Sequence, residues 1–200
     1  MHTDTLGSMS LFTMAGQRKY LSPDERRRFL ATASSQTRPE VLTFCMVLAH
    51  SGCRISEALS LTLSAFDLAE GFVAIRCLKK RGRTPIVREV PLPPDVISAL
   101  RLVHGADPSS TKRLWPWSRS RAWQIVKAVM ADAGTQGGPH ASPKGLRHGF
   151  GLHAIRSGVP INLVQRWLGH ASINTTAIYL QAMGREEREI AARMWADRAP

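Results

Sequence analysis

Two apolar periods divide this chain: helical spacing up to about residue 60, alternation between residues 72 and 90, and helical spacing again from residue 94. The first helix is announced by Ser22-Pro23-Asp24-Glu25, where serine can cap, proline suits the first turn, and glutamate stands three residues beyond the cap. It is predicted to run to about Ala33. Pro39 and Glu40 open a second helix, almost wholly apolar from Val41 to Ala49 and interrupted by Ser51-Gly52, which reads as core. After that break Ile55, Ala58 and Leu59 predict a short helix on which Arg54 and Glu57, three apart, are neighbours.

The alternating stretch predicts a β-hairpin, Phe72 to Ile75 and Ile86 to Val90, around a turn holding Lys79, Lys80, Arg81 and Arg83. No buried face tolerates such charge density. Pro91 to Pro94 ends the sheet and starts a helix to about Val103, and further helices are predicted over roughly 118–132, 142–156, 160–168, 172–181 and 185–196, with Ser142 as a cap and Pro143 in the first turn. Trp123 with Ile125 and Val126, and Trp167 with Val164 and Leu168, read as core. The fold class is mainly α with a small antiparallel β-hairpin or sheet. Residues 1–19 read as a flexible segment and 20–200 as one domain without internal repeats.

Composition then narrows the partners. Lys and Arg number 27 against 15 Asp and Glu, a formal charge of +12, which biases the chain towards a polyanion. Nucleic acid is the first candidate; an anionic membrane would require a segregated basic amphipathic helix or a lipidation signal, and neither is seen. The three cysteines, 45, 53 and 77, have no C-x-x-C spacing and no histidine partners at zinc-binding intervals. They read as small buried groups in a reduced, cytoplasmic protein, with no metal and no cofactor expected. The N-terminus lacks a secretory pattern, and no apolar stretch reaches membrane-spanning length.

Four segments suggest chemistry when taken together: SGCRISEAL at 51–59, LKKR at 78–81, PKGLRHGFG at 143–151 and WLGHASINTTAIY at 167–179. Singly each is ordinary. Tyr179 alone would be a half-buried helix tyrosine, Arg54 and Glu57 a surface ion pair, the hairpin tip a solvated loop, and His170 after Gly169 part of a helix cap. As a set they supply a nucleophile, cations able to hold a phosphate, and an acid for a leaving oxygen. Arginine suits the phosphate clamp because its guanidinium is planar, bidentate and always charged.

In order and spacing these segments resemble the tyrosine recombinase, or phage integrase, family over about residues 20 to 196, with twenty-three residues from Arg147 to His170 and nine from His170 to Tyr179. The resemblance implies that fold for the catalytic domain, and strand transfer through a 3′-phosphotyrosine on Tyr179. It implies phosphate contacts from Arg54, Arg147 and His170, support from Glu57, and a hairpin lysine, Lys79 or Lys80, that protonates the departing 5′ oxygen. Many relatives carry histidine where this chain has Lys144, which leaves the proton acceptor for Tyr179 open, and His148 is placed among residues near the DNA. Arg81, Arg83, Lys112, Arg113, Arg119 and Arg121 are expected on backbone phosphates of double-stranded DNA. The resemblance further implies tetramers on DNA, for which Glu186 to Trp195 is the candidate contact, and association with the nucleoid. Nineteen residues are too few for the DNA-binding domain that precedes the catalytic one in most relatives. Relaxation of supercoils in the manner of a type IB topoisomerase, and non-catalytic regulation through DNA binding, are the alternatives.

Overall fold

Residue 22 starts the helical body as its sequence requires. In a computed structural model, which describes residues 10–78, 86–107 and 109–180, the Ser22 hydroxyl accepts from the Glu25 amide at 3.3 Å. The Glu25 carboxylate accepts from the Ser22 amide at 2.9 Å, closing a capping box at the head of α1 (Pro23–Ser34). Of the segment expected to be flexible, residues 10 to 19 form a turn bridged between Phe12 and Arg18, with Leu11 buried and Arg18 paired to Glu25.

Helix α2 (Pro39–Ser51) has no side-chain cap, and burial holds it instead. Phe44, Val47 and Leu48 are sealed from solvent. Each contributes about 1.5–3 kcal/mol, against roughly 1 kcal/mol for a missing cap. The helix packs against α1, α4 and α6, so the core is built around it. It ends at Gly52, whose φ of 60° is left-handed. A Cβ there would also lie 2.4 Å from the Phe150 ring, so both conformation and space demand glycine.

Beyond α3 (Ile55–Ala58) a short 3-10 turn, Leu63–Ala65, leads into a strand the periodicity did not predict, β1 (Phe66–Asp67). Two residues are too few for an alternation to register. Paired with β2 (Phe72–Arg76) and β3 (Val87–Pro91), it makes the hairpin a three-stranded antiparallel sheet in sequence order. Val73 faces Val90 and Ile75 faces Arg88 across the ladder, and all four side chains are turned inward. The hairpin tip, 79–85, lies outside the described residues.

Helix α4 (Pro94–His104) returns along α2, and the loop after it buries Trp115, whose indole N–H donates to the Glu40 carbonyl at 3.0 Å. Helix α5 (Arg119–Asp132) is capped by Ser118 and turns Ala122, Ile125, Val126, Val129 and Met130 inward. Trp123 falls off that stripe and is 48% exposed, correcting the expectation of a core residue. Helix α6 (Pro143–Arg156) begins at Ser142 as predicted. Helix α7 (Ile161–Leu168) ends at Gly169, and α8 (Asn174–Ala177) is shorter than its pattern: the chain leaves the helix before Ile178 and carries Tyr179 inward. The predicted helix 185–196, with Glu186 to Trp195, lies outside the described residues.

Candidate active site

Arg54 and Glu57 meet because the break at Gly52 makes Arg54 the residue that starts α3, which puts Glu57 one turn along. The carboxylate accepts from the Arg54 amide at 2.9 Å and from its guanidinium at 2.8 Å. A third partner comes from the sheet: Arg88 on β3 reaches the same carboxylate at 2.6 Å, and also donates to the Trp167 carbonyl at 2.7 Å. Both side chains of the Arg88–Glu57 pair are sealed from solvent. Burial works to raise the Glu57 pKa, but the hydrogen bonds and charge of Arg88, with Arg54 behind, outweigh it and hold the carboxyl below its ordinary range.

Arg147, in the second turn of α6, is buried and points at two helix ends. It donates to the Gly52 carbonyl at 2.7 Å and the Leu168 carbonyl at 2.5 Å, at the C-termini of α2 and α7. Both ends present unpaired carbonyls and the negative pole of a helix dipole, so a guanidinium satisfies them. Burial, then the charge of Arg54, lowers its pKa to about 10, which leaves it cationic at neutral pH. Further N–H donors of the guanidinium remain for an incoming oxygen.

Tyr179 is buried against α6. A Cβ on Gly151 would lie 2.6 Å from the tyrosine Cζ, so the bare backbone of that turn makes room for the ring. The hydroxyl lies 3.1 Å from His148 Nδ1. Burial raises the phenol to about 12, opposed by the charge of Arg147. The His170 ring is stacked near the tyrosine, with planes 13° apart and centroids 6.4 Å apart, and its Nδ1 is 2.9 Å from Thr176 Oγ1. Burial, then Arg147 and Arg54, depresses His170 to about 3, so the imidazole is neutral. His170 also completes the cap of α7, its amide donating to Gln165. A cleft of about 250 Å³ opens beside it, lined by Cys77, Arg88, Gln165 and Gly169.

Thus Arg54, Glu57, Arg147, His170 and Tyr179 come together from four segments of the chain. His148 does not face outward with the DNA-contact candidates. Three residues before Gly151, it shares the helix face that meets Tyr179. Lys144 is exposed, as are Lys112, Arg113, Arg119 and Arg121. Lys79, Lys80, Arg81 and Arg83 lie outside the described residues. Cys53 is buried, and burial pushes its thiol up to about 11. The sequence reading missed Arg88 and Thr176. For Arg88 a signal existed, since alternation puts it on the face of Val90, where a buried guanidinium needs a carboxylate.

The arrangement places two guanidiniums on one carboxylate and a third, that of Arg147, near a phenol and a neutral imidazole. Such a pocket carries more positive than negative charge and suits a phosphodiester, with arginines on the nonbridging oxygens. Among the described residues no three His, Cys, Asp or Glu side chains are grouped to hold a metal ion. No described helix is long and apolar enough to cross a membrane.

Known proteins share this plan. The model of the phage integrase family matches residues 19–185. The tyrosine recombinase XerD of Neisseria meningitidis serogroup B is 33% identical over 141 residues, 64% of this chain and 46% of that protein. The tyrosine recombinase XerA of Pyrococcus furiosus is 27% identical over 157 residues, 74% and 52% of the two. A crystal structure of XerA recombinase superposes with a TM-score of 0.69 at 30% identity, covering 90% of this chain and 65% of that one. The catalytic domain of bacteriophage HP1 integrase shares the fold, with a TM-score of 0.66 at 21% identity over 87% of this chain and 93% of that one. The chain spans about half the length of the curated relatives it matches.

Proposed function

Since the chain belongs to the phage integrase family of tyrosine recombinases, we propose that it cuts and rejoins double-stranded DNA at a specific site, with Tyr179 as nucleophile. The observation that carries this reading is the convergence of Arg54, Arg147 and His170 on the pocket holding the tyrosine, around the single carboxylate of Glu57.

In the proposed reaction the Tyr179 oxygen attacks the scissile phosphorus, and the bond from phosphorus to the 5′ oxygen breaks. A 3′-phosphotyrosine and a free 5′ hydroxyl result. Arg54 and Arg147 neutralise the charge that grows on the nonbridging oxygens, which is where preorganised cations accelerate most. His170 Nδ1 is in contact with Thr176 Oγ1, and with the threonine hydroxyl as donor the imidazole proton sits on Nε2 and can be offered to the phosphate. A hairpin lysine, Lys79 or Lys80, protonates the leaving oxygen. Glu57 acts through Arg54 and Arg88 by fixing their positions. Attack by a 5′ hydroxyl from a second duplex then exchanges strands without an external energy source. This exchange requires several protomers on DNA, with Glu186 to Trp195 as the proposed contact between them.

The test is incubation with nicked suicide duplexes, in which the cleaved 5′ fragment diffuses away and the covalent adduct accumulates. The wild type should form a protein–DNA adduct resistant to denaturant and Tyr179→Phe should form none. An adduct that persists in Y179F removes Tyr179 as the nucleophile. Relaxation of a plasmid without recombinant products would instead identify a topoisomerase.

A further inference from the structure

With Lys144 exposed at the start of α6, His148 is, among the described residues, the side chain in hydrogen-bond contact with Tyr179. We propose that His148 is the base that takes the Tyr179 proton, an inference that rests on the strand-transfer reading and adds a residue to it. Its Nδ1 is 3.1 Å from the phenolic oxygen, with ring centroids 6.0 Å apart and planes inclined by 58°. The contact is edge-on, aiming a ring nitrogen at the hydroxyl. His170, the other imidazole near the tyrosine, lies nearly parallel to its ring and spends Nδ1 on Thr176, so it is placed for the phosphate and not for the phenol.

The arrangement is fixed by α6. Arg147 and His148 are successive residues, so the backbone that directs the guanidinium into the clamp also sets the imidazole beside the nucleophile. Gly151, one turn on, admits the ring that completes the contact. The groups around His148 are Lys144 and Arg147 on its own helix, Lys19 on the segment before α1, His170 after α7, and Tyr179 itself. Burial, then Lys144, Arg147 and Lys19, holds the imidazole neutral, with a pKa of about 4. A neutral imidazole has a lone pair to receive the proton. A phosphodiester bound at Arg147 offsets one of the charges that depress His148, and brings its pKa back towards neutrality, where a base works best. DNA binding therefore activates the base.

The step balances as follows. The Tyr179 O–H bond breaks and its proton passes to His148 Nδ1. The freed electron pair forms the bond to phosphorus, and the pair of the breaking bond leaves on the 5′ oxygen, which takes a proton from the hairpin lysine. His148 returns its proton to Tyr179 on rejoining.

The experiment compares wild type, H148Q, H148A and Y179F on a pool of nicked suicide duplexes with randomised sequence flanking the nick, after melting curves confirm that each is folded. H148Q, which keeps an acceptor but cannot take a proton, should form adduct about a hundredfold more slowly at neutral pH. Its rate should climb with pH as solvent removes the proton. The wild-type rate should be flat above 6.5 and fall below it, with a midpoint between about 4 and 6.5. Added imidazole should partly restore H148A. An unchanged or faster rate in H148Q, as expected if His148 merely stores the hydroxyl, overturns the proposal. Nitrogen NMR of the histidines needs no DNA: the His148 Nδ1 signal should be that of an unprotonated acceptor and should move in Y179F. An Nδ1 carrying the proton overturns the proposal while leaving strand transfer by Tyr179 intact. Absence of wild-type adduct, with the NMR result as expected, overturns the strand-transfer reading and the role built on it.

Discussion

Glu57 and Arg88 form a buried ion pair at 2.6 Å between α3 and β3, thirty-one residues apart in the chain. Since the same carboxylate holds Arg54 at 2.8 Å, this pair links the sheet to the proposed phosphate clamp. Removing one partner strands the other charge in the interior. E57L and R88M should each lose about 3–5 kcal/mol of stability, whereas E57L/R88M should lose less than their sum. Urea unfolding of the three variants checks this as a double-mutant cycle.

Stability should decline in two stages on acidification. His50, His148 and His170 are neutral in the folded protein, with pKa values held at about 4, about 4 and about 3 chiefly by burial, while the unfolded chain takes up protons near 6.5. The unfolded state thus binds more protons below 6.5, so the melting temperature should begin to fall there. Glu25 adds a lower window: the hydrogen-bonded Arg18 holds its carboxyl at about 2, so its contribution, complete above 4.5, is lost as pH falls towards 2. E25Q should flatten the lower stage, while the upper stage set by His50, His148 and His170 persists, in thermal melts from pH 7.5 to 3.

Gly151 keeps Tyr179 docked. In G151A the new methyl group meets the tyrosine ring at 2.6 Å, and the ring, being the free end of a side chain, gives way. The chain has two tyrosines, so nitration followed by peptide mapping can separate them. Tyr20 should react in both proteins, and Tyr179 should be protected in the wild type and reactive in G151A. Equal protection of Tyr179 would show that the helix, and not the ring, had moved.

Binding to DNA should be steeply salt-dependent. Lys112, Arg113, Arg119 and Arg121 are exposed, and each one engaged on a phosphate adds about one unit to the slope of log affinity against log salt. Single alanine substitutions should lower that slope by about one without changing sequence preference, as measured by fluorescence anisotropy at several salt concentrations. A slope unchanged by all four substitutions would place the DNA on another face.

Sequence by itself determined what depends on a few neighbouring residues. Ser22 and Ser142 cap helices because the hydroxyl and the amide it satisfies lie within one turn. Arg54 meets Glu57 for the same reason, and the intervals from Arg147 to His170 and Tyr179 identify the family without coordinates. Tertiary structure decided what depends on packing between distant segments. Residue 88 reads as one polar position in a strand until α3 brings Glu57 against it. Trp123 fits a helical pattern as core, yet the face that α5 buries passes through Ile125 and Val129 and leaves the indole outside. Whether His148 turned to solvent or to Tyr179 depended on which face of α6 received the segment after α8. The chain encodes Gly151 and Tyr179 far apart, and only their contact shows that the glycine is the space the tyrosine fills.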